Sequence, residues 1–542
     1  MIPCVLFEDE HLLVVNKPAG LNTHAPGPYA GEGIYDWLKH REPRWAKLAI
    51  IHRLDKETSG VMVFGKTALA NRSLTAQFAS RTVRKKYLLL TDRSVKQREL
   101  TVESRIVRAG ERYISGARGE PAATRFRLSG RKSQSSNLKL LEAEPLTGRT
   151  HQVRVHAAES GFPILGDALY GGSPWPRVCL HAVALTLQHP ASGEPITFAA
   201  PADFDADCGL ALRAALIAPE ATNACRLIHG ASDGWPGWYV DRLGDFLLSQ
   251  SERALTLEQA RLLEAWVSGE GLPIADGQSP MPLCSAYHKL LVRPAQRAAI
   301  GESSPQLAGE EPAPARFDVL ENGVKFELSF NEGYSAGLFL DQRDNRRRFL
   351  VNHVAAGFPL FKSEIRSPKS EILNCFAYTC GFSVCAALAG ARTTNLDLSK
   401  KYLEWGKRNF GLNGLDSTEH DFIYGDVFDW LRRLAKQGRK FDAVILDPPT
   451  FSQSKASGRF RAEKDYGKLV AVALPLIKPG GVLFASTNAA AWPPEKFLAS
   501  VRTAIRGAKR RISQEHYFPQ PPDFSISRAE PAYLKAVWMR IE

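Results

Sequence analysis

Short apolar runs separated by turn residues dominate the first 200 positions of the chain. Cys4-Val5-Leu6-Phe7 and Leu12-Leu13-Val14-Val15 read as strands around an acidic turn, followed by Lys17-Pro18-Ala19-Gly20. Residues 83–91 and 138–142 also look β, and few long helical patterns occur before residue 150. This strand-rich domain is expected to end near Ile196-Thr197-Phe198. A helical run over 210–217 bridges to a second β-rich stretch, in which 238–248 predicts a hairpin with a Gly-containing turn. Residues 299–316, rich in Gly, Ser, Pro and Glu, predict a linker or flexible loop. Another hairpin is expected over 317–330, turning at Asn322-Gly323.

From about residue 331 the period changes to strand–loop–helix. Residues 372–376 form a buried-strand run, 383–389 a short helix closed by Gly390, 394–397 a second strand, and 400–412 a helix closed by Asn413-Gly414. The run 441–446 is apolar except for Asp442. Such alternation predicts a parallel sheet covered by helices on both faces. The expected fold class is multidomain α+β and α/β: a mixed-sheet domain over 1–205, a linker over 206–222, a small β-rich auxiliary domain over 223–330, and a doubly wound Rossmann-like domain over 331–542.

Composition narrows the class. With 542 residues, 44% hydrophobic and 23% charged, the chain has the make-up of a folded globular protein of several domains. No apolar run reaches the ~18 residues of a membrane span, and the opening Met1-Ile2-Pro3-Cys4 runs into Glu8-Asp9-Glu10 without a charged leader pattern, so a cytoplasmic protein is expected. Eight cysteines without a CxxC pair suit a reducing compartment and predict no structural zinc. Lys+Arg 70 against Asp+Glu 57 leaves a net charge of +13, which favours a polyanionic partner.

Two polar constellations carry chemistry. His52-Arg53-Leu54-Asp55-Lys56-Glu57-Thr58-Ser59-Gly60 precedes the apolar run Val61-Met62-Val63-Phe64, and Asp55 between Arg53 and Lys56 can stay ionised there. On its own the segment also reads as an Asx turn with a structural ion pair. The cation-dense Thr147-Gly148-Arg149-Thr150-His151-Gln152-Val153-Arg154-Val155-His156 predicts a helix with Thr150 as its N-cap, or simply a solvated basic face. Together with Lys85-Lys86-Tyr87, Val14-Val15-Asn16-Lys17-Pro18-Ala19-Gly20, Pro163-Ile164-Leu165-Gly166-Asp167 and Leu180-His181-Ala182, these motifs resemble the RluA-type pseudouridine synthases over about the first 200 residues. The resemblance implies isomerisation of uridine in RNA, without cofactor or metal. It makes Asp55 the nucleophile or base toward the ribose, and Arg154 the group that holds it anionic. Tyr87 would pack on the flipped-out base, and Arg53 would fill the gap left in the RNA. Asp167 reads as structural.

The second constellation is Asn374-Cys375-Phe376-Ala377-Tyr378-Thr379-Cys380-Gly381-Phe382, a turn between strand and helix, with Asp397 ending the next strand 16 residues after Gly381. Only one glycine is present, so a plain β–α turn remains open. More telling is Asp447-Pro448-Pro449-Thr450-Phe451-Ser452, where two prolines fix a rigid loop beyond a buried strand. With Gly337-Leu338-Phe339-Leu340-Asp341-Gln342-Arg343, Tyr402-Leu403-Glu404-Trp405, Asp233-Gly234-Trp235-Pro236-Gly237 and Asp241-Arg242-Leu243-Gly244, this combination resembles S-adenosylmethionine-dependent ribosomal RNA methyltransferases of the RlmI and RlmK type over roughly 223–542. The resemblance implies that Phe376, Tyr378 and Gly381 border S-adenosylmethionine, Asp397 its ribose and Asp426 its adenine. Asp447 would face the methionine end and the target base, with Phe451 and Arg343 toward substrate. The partner implied is RNA, most directly large-subunit ribosomal RNA. Pyrimidine carbon-5 enzymes of the RlmI type use a cysteine after the fifth strand, where this chain reads Phe484-Ala485-Ser486-Thr487-Asn488-Ala489. The missing thiol leans toward the RlmK type and guanine N7. The run Arg343, Arg346, Arg347, Arg348 could track phosphates or form a solvated helix face.

Overall fold

The computed structural model describes every residue except 1, 131–136, 271–282, 292–305, 332–334, 362–369 and 455–457. The expected linker over 299–316 therefore lies partly outside the described residues; Gln306–Ala308 within it is a strand. The chain divides into two compact units, one made of Met1–His24, Gly33–Tyr35 and Lys47–Ala218, the other of Ala25–Glu32, Asp36–Ala46 and Pro219–Glu542. Among the described residues no helix is long and apolar enough to cross a membrane.

The first unit is built on an eleven-stranded mixed sheet. Leu12–Lys17 pairs with Ser59–Gly65, which lies beside Leu180–Gln188, then Arg84–Thr91, Lys139–Pro145, Glu120–Leu128 and Glu99–Ala109. These neighbours run antiparallel apart from one seam, where Ser59–Gly65 and Leu180–Gln188 are parallel through His181↔Ser59 and Ala182↔Gly60. A Cβ at Gly60 (φ 120°) would lie 2.3 Å from the Ala182 carbonyl oxygen, so this crossing of chains requires glycine. Leu12, Val14, Val61 and Val63 fill one core under a helix, Ala68–Ala79, whose N-terminus Thr67 caps by accepting from the Ala70 N–H. That twelve-residue helix is longer than the pattern before residue 150 led us to expect. Leu89, Leu141, Val153, Ile164 and Leu180 fill a second core, against the helix Gln152–Glu159. The residue capping this helix is His151, in the left-handed region at φ 56°, and not Thr150. The bridging run is the helix Cys208–Leu216; it buries Leu210, Leu212 and Leu216 and belongs to the first unit.

In the second unit, Trp238–Leu243 and Phe246–Ser251 form the expected hairpin through Gly244, within a five-stranded sheet. Phe317–Glu321 and Val324–Leu328 form the next one, with Asn322 and Gly323 both at positive φ (52° and 78°), as a tight two-residue turn demands. The large sheet has seven strands in the order Asp421–Tyr424, Arg392–Asp397, Glu371–Cys375, Phe441–Leu446, Ile477–Thr487, Lys535–Ile541, Ile512–Phe518. It is not wholly parallel as expected: Lys535–Ile541 runs antiparallel to both of its neighbours. A strand can be inserted this way because the connection 519–534 from Ile512–Phe518 contains no helix and returns the chain beside it, as an antiparallel pair allows. Strand order reverses between Glu371–Cys375 and Phe441–Leu446, and at such a point the helices leave to opposite faces and open a crevice at the carboxyl edge.

Candidate active sites

The loop after Ile50 delivers Asp55 to the parallel seam of the first unit, where its side chain is 23% exposed. One Arg154 terminal nitrogen (Nη1) stands 3.6 Å from Asp55 Oδ2 and 3.6 Å from Glu57 Oε2. The rest of that guanidinium is clamped: Nε and Nη2 donate to the two oxygens of Asp167 at 2.7 and 2.8 Å, and the group lies 5.1 Å from the Tyr170 ring centre. Burial opposes charge on Arg154, but its bonds to Asp167 and the fields of Asp167, Asp55 and Glu57 outweigh this and hold it cationic. The structure thus brings Asp55 and Arg154 together, and gives Asp167 its structural part: it fixes Arg154. Tyr87 lies in Arg84–Thr91 with Ala182 and Ala143 opposite it on the two neighbouring strands, so small residues flank its ring. Burial, and then the charge of Asp55, push its phenol pKa upward, which keeps the hydroxyl neutral. Arg53 is exposed at the front of the loop.

Three neighbours of Asp55 were not singled out from the sequence. His151 Nε2 stands 3.9 Å from Asp55, its Nδ1 2.8 Å from the Tyr170 hydroxyl. Glu57 shares Arg154 with Asp55. Lys17 is fully buried and donates to the Pro18, Leu21 and Lys56 carbonyls at 2.9, 2.7 and 3.3 Å; burial pulls its pKa down to about 7, against the fields of Asp55 and Glu57. A lysine ending the apolar strand Leu12–Lys17 was the available signal. His52, by contrast, is a neutral core ring: it stacks on Phe78 at 4.8 Å, accepts from the Val63 N–H, and burial pulls its pKa to about 3.

In the second unit Phe376, Asp397, Asp426 and Asp447 all lie at or just beyond the carboxyl ends of four adjacent parallel strands. The turn opening the helix Gly381–Leu388 is strained. Phe376, Tyr378 and Cys380 alternate in the left-handed region at φ 59°, 52° and 62°, a cost of about 1–3 kcal/mol apiece. Surrounding bonds enforce it: Ala377 N–H donates to Leu396 O (3.1 Å), Cys380 N–H to Ala377 O (2.8 Å), and Thr379 Oγ1 to Gly337 O (2.6 Å). A Cβ on Gly381 would meet Arg346 at 3.3 Å and Leu338 at 3.4 Å. Asp397 ties turn to strand, its two oxygens accepting from the Tyr378 and Ser399 N–H groups at 2.8 Å each; burial raises its pKa, and those bonds offset part of the rise. Asp426 caps the helix Val427–Lys436 by accepting from the Asp429 N–H. Asp447 follows Phe441–Leu446 and accepts from Gln342 Nε2 at 3.2 Å. Burial first, then repulsion from Asp341, push its pKa up to about 7, partly offset by Ser486, Arg346 and Gln342.

The arginine run is neither a phosphate track nor a solvated face. Arg343 donates to both oxygens of buried Asp523 at 2.8 and 2.6 Å and is 2% exposed. Arg346 is buried on Glu321, Arg348 lies 3.7 Å from the Phe518 ring centre, and Arg347 pairs with Glu42. The helix Arg343–Val351 is enclosed, with Arg343, Arg346 and Arg347 in structural ion pairs and Arg348 on an aromatic ring, and the expected substrate role of Arg343 is withdrawn.

Comparison with known proteins agrees with this division. Residues 11–159 match the family model of RNA pseudouridylate synthases, and residues 284–540 that of S-adenosylmethionine-dependent methyltransferases. A ribosomal RNA large subunit methyltransferase of Deinococcus radiodurans is 34% identical over 343 residues, 62% of this chain and 78% of the relative. Ribosomal RNA large subunit methyltransferase I of Klebsiella pneumoniae is 31% identical over 338 residues (61% and 76%). The chain belongs to this methyltransferase family, fused to an RluA-type pseudouridine synthase domain. Among solved structures, a methyltransferase complexed with SAH (SMU.776) is 28% identical over 59% of this chain and 76% of its own, with a TM-score of 0.47. Human RNA Pseudouridylate Synthase Domain Containing 4 is 27% identical over 37% and 88%, with a TM-score of 0.30.

The methyltransferase half takes S-adenosylmethionine as its cofactor, and the residues at its carboxyl edge fit that molecule. Asp397 accepts from backbone N–H groups of its own turn, and a carboxylate has further lone pairs with which it would take a ribose hydroxyl. Leu398, Tyr424 and Phe451 leave apolar surface exposed (44%, 61% and 53%) at the same edge, as a purine ring requires. Asp447 places a carboxyl group at the same edge.

Proposed function

We propose that the chain is a bifunctional ribosomal RNA modification enzyme, isomerising a uridine to pseudouridine in residues 1–205 and methylating a base in residues 331–542, with the β-rich 223–330 binding RNA. The observation that carries the first half is the Asp55–Arg154 pair: a partly exposed carboxylate beside a guanidinium held in place by Asp167. Breaking a glycosidic bond needs a carboxylate at the ribose, as nucleophile or as base, and the Arg154 charge favours the ionised form. Tyr87 between two alanines offers a ring face to the displaced base, and exposed Arg53 stands free to enter the RNA.

In the second half the cofactor supplies an activated methyl group on sulfur. Asp397 and Asp426 hold its nucleoside, and the Phe376–Cys380 turn sets its depth. Asp447 holds its charged end and orients the acceptor base, for which Phe451 is a stacking surface. Cys375, Cys380 and Cys385 are all buried and burial pushes each thiol upward, so none of these three presents a thiolate to activate a pyrimidine ring. In the stretch expected after the fifth strand, Ser486 lies instead inside the strand Ile477–Thr487, buried on Gln342. A ring nitrogen with its own lone pair needs only positioning, which supports guanine N7. The likeness to RlmI-type enzymes favours a second reading, carbon-5 of cytosine. Nucleoside mass mapping of ribosomal RNA from cells with and without the protein tests both halves. One missing pseudouridine and one missing 7-methylguanosine are expected; loss of 5-methylcytidine instead selects the second reading, and an unchanged map refutes the proposal.

A further inference from the structure

Behind Asp447 runs a buried chain of side chains whose hydrogen-bond directions admit one assignment. Trp538 Nε1 and Arg348 Nη1, both donors only, give their hydrogens to Asn345 Oδ1 at 3.1 Å each. Asn345 must therefore present its amino group to Gln342, and it donates from Nδ2 to Gln342 Oε1 at 2.7 Å. That leaves Gln342 Nε2 facing Ser486 Oγ at 2.8 Å and Asp447 Oδ2 at 3.2 Å. Gln342, Asn345, Arg348, Trp538 and Ser486 are each no more than 3% exposed, so water cannot substitute for a lost partner.

A glutamine amide free to rotate could serve either form of a carboxyl group, donating to the anion or accepting from the acid. One locked with its N–H forward cannot accept from the acid's O–H, and its donated bond is stronger to the anion, which it therefore favours. We propose that Gln342 is a positioning residue for methyl transfer, held by Trp538 and Arg348 through Asn345 so that it keeps Asp447 in the carboxylate form the cofactor's cationic end requires. This rests on the reading that Asp447 faces that end of S-adenosylmethionine. The other groups around Asp447 divide: Asp341, itself bonded to the Tyr533 hydroxyl at 3.0 Å, favours the acid, whereas Arg346 and Ser486 favour the anion. Tyr466, whose hydroxyl reaches the Leu446 and Ser486 carbonyls at 2.8 and 2.9 Å, has its own pKa raised well above the ordinary value by burial and by Asp447, and stays neutral.

The test is calorimetric titration of the full chain with S-adenosylmethionine, without RNA, across pH 5.5–8.5 as roughly the window around a neutral pKa. Affinity for a cation should rise with pH as Asp447 ionises, with a midpoint near the carboxyl's value of about 7 in the free protein. Asp447→Asn should bind more weakly and lose that slope. Gln342→Leu, which deletes the donor, and Asn345→Ser, which frees the amide to turn, should each move the midpoint upward by about one pH unit. A merely structural role would weaken binding equally at every pH and leave the midpoint in place; that result from both variants, with Asp447→Asn flat, overturns the relay alone. A slope surviving in Asp447→Asn removes Asp447 from the cofactor's charged end, and the relay with it. Methyl incorporation into ribosomal RNA from cells lacking the protein should show the same midpoint shifts.

Discussion

The two halves of the chain use the same side chain, an aspartate just beyond or between strands, in opposite surroundings. Asp55 is partly exposed and faces a guanidinium that is itself immobilised by Asp167. Asp447 is half-buried and more strongly desolvated, takes a hydrogen bond from a neutral amide, and is repelled by Asp341. The difference follows from what each proposed reaction brings with it. Uridine isomerisation supplies no positive partner for the carboxylate, so the protein must build one in. Methyl transfer arrives with a cationic cofactor, so the protein can leave the site short of counter-charge and let ligand binding complete it. A desolvated carboxylate without a strong cation partner is costly by itself, a cost that a cationic cofactor bound as proposed would offset.

Four changes would break or sharpen this contrast. Asp55→Ala should abolish pseudouridine formation, by about a thousandfold or more, while methyl incorporation continues; isomerisation that survives would remove Asp55 from the chemistry. Asp447→Asn should slow methyl transfer by roughly a hundredfold and leave pseudouridine formation untouched, so equal loss of both marks would mean that the two sites are not separable. Asp167→Asn strands a buried guanidinium and should destabilise the first unit by about 3–5 kcal/mol, read by urea titration with hydrogen exchange of the helix Gln152–Glu159. No change there would show that Asp55 and Glu57 alone hold Arg154. The smallest effect is expected from Cys385→Ser, which should methylate near the wild-type rate, and its parent thiol should resist alkylation in the folded chain; rapid labelling or lost methylation would revive the carbon-5 reading.

Local features survived the passage from sequence to structure. The hairpin at Asn322-Gly323, the helix Lys400–Leu412 and the strand Phe441–Leu446 follow from turn residues and hydrophobic period, which act within a few residues of chain. The pairing of Asp55 with Arg154 was expected only through family resemblance, because 98 intervening residues hide it from any local pattern. Arg343 illustrates the failure. Four arginines in six positions look solvated until Asp523 and Glu321, from distant parts of the chain, close over two of them.

The amino-acid sequence by itself determined the period of the elements, the turns and the kinds of chemistry available, since these depend on neighbours and on residue type. Tertiary structure alone decided which charges are paired, which way the amides of Asn345 and Gln342 point, and that Lys535–Ile541 enters its sheet reversed. Those outcomes depend on burial and on contacts between residues far apart in the chain, where the cost of an unpaired polar group selects one arrangement from many that the sequence permits.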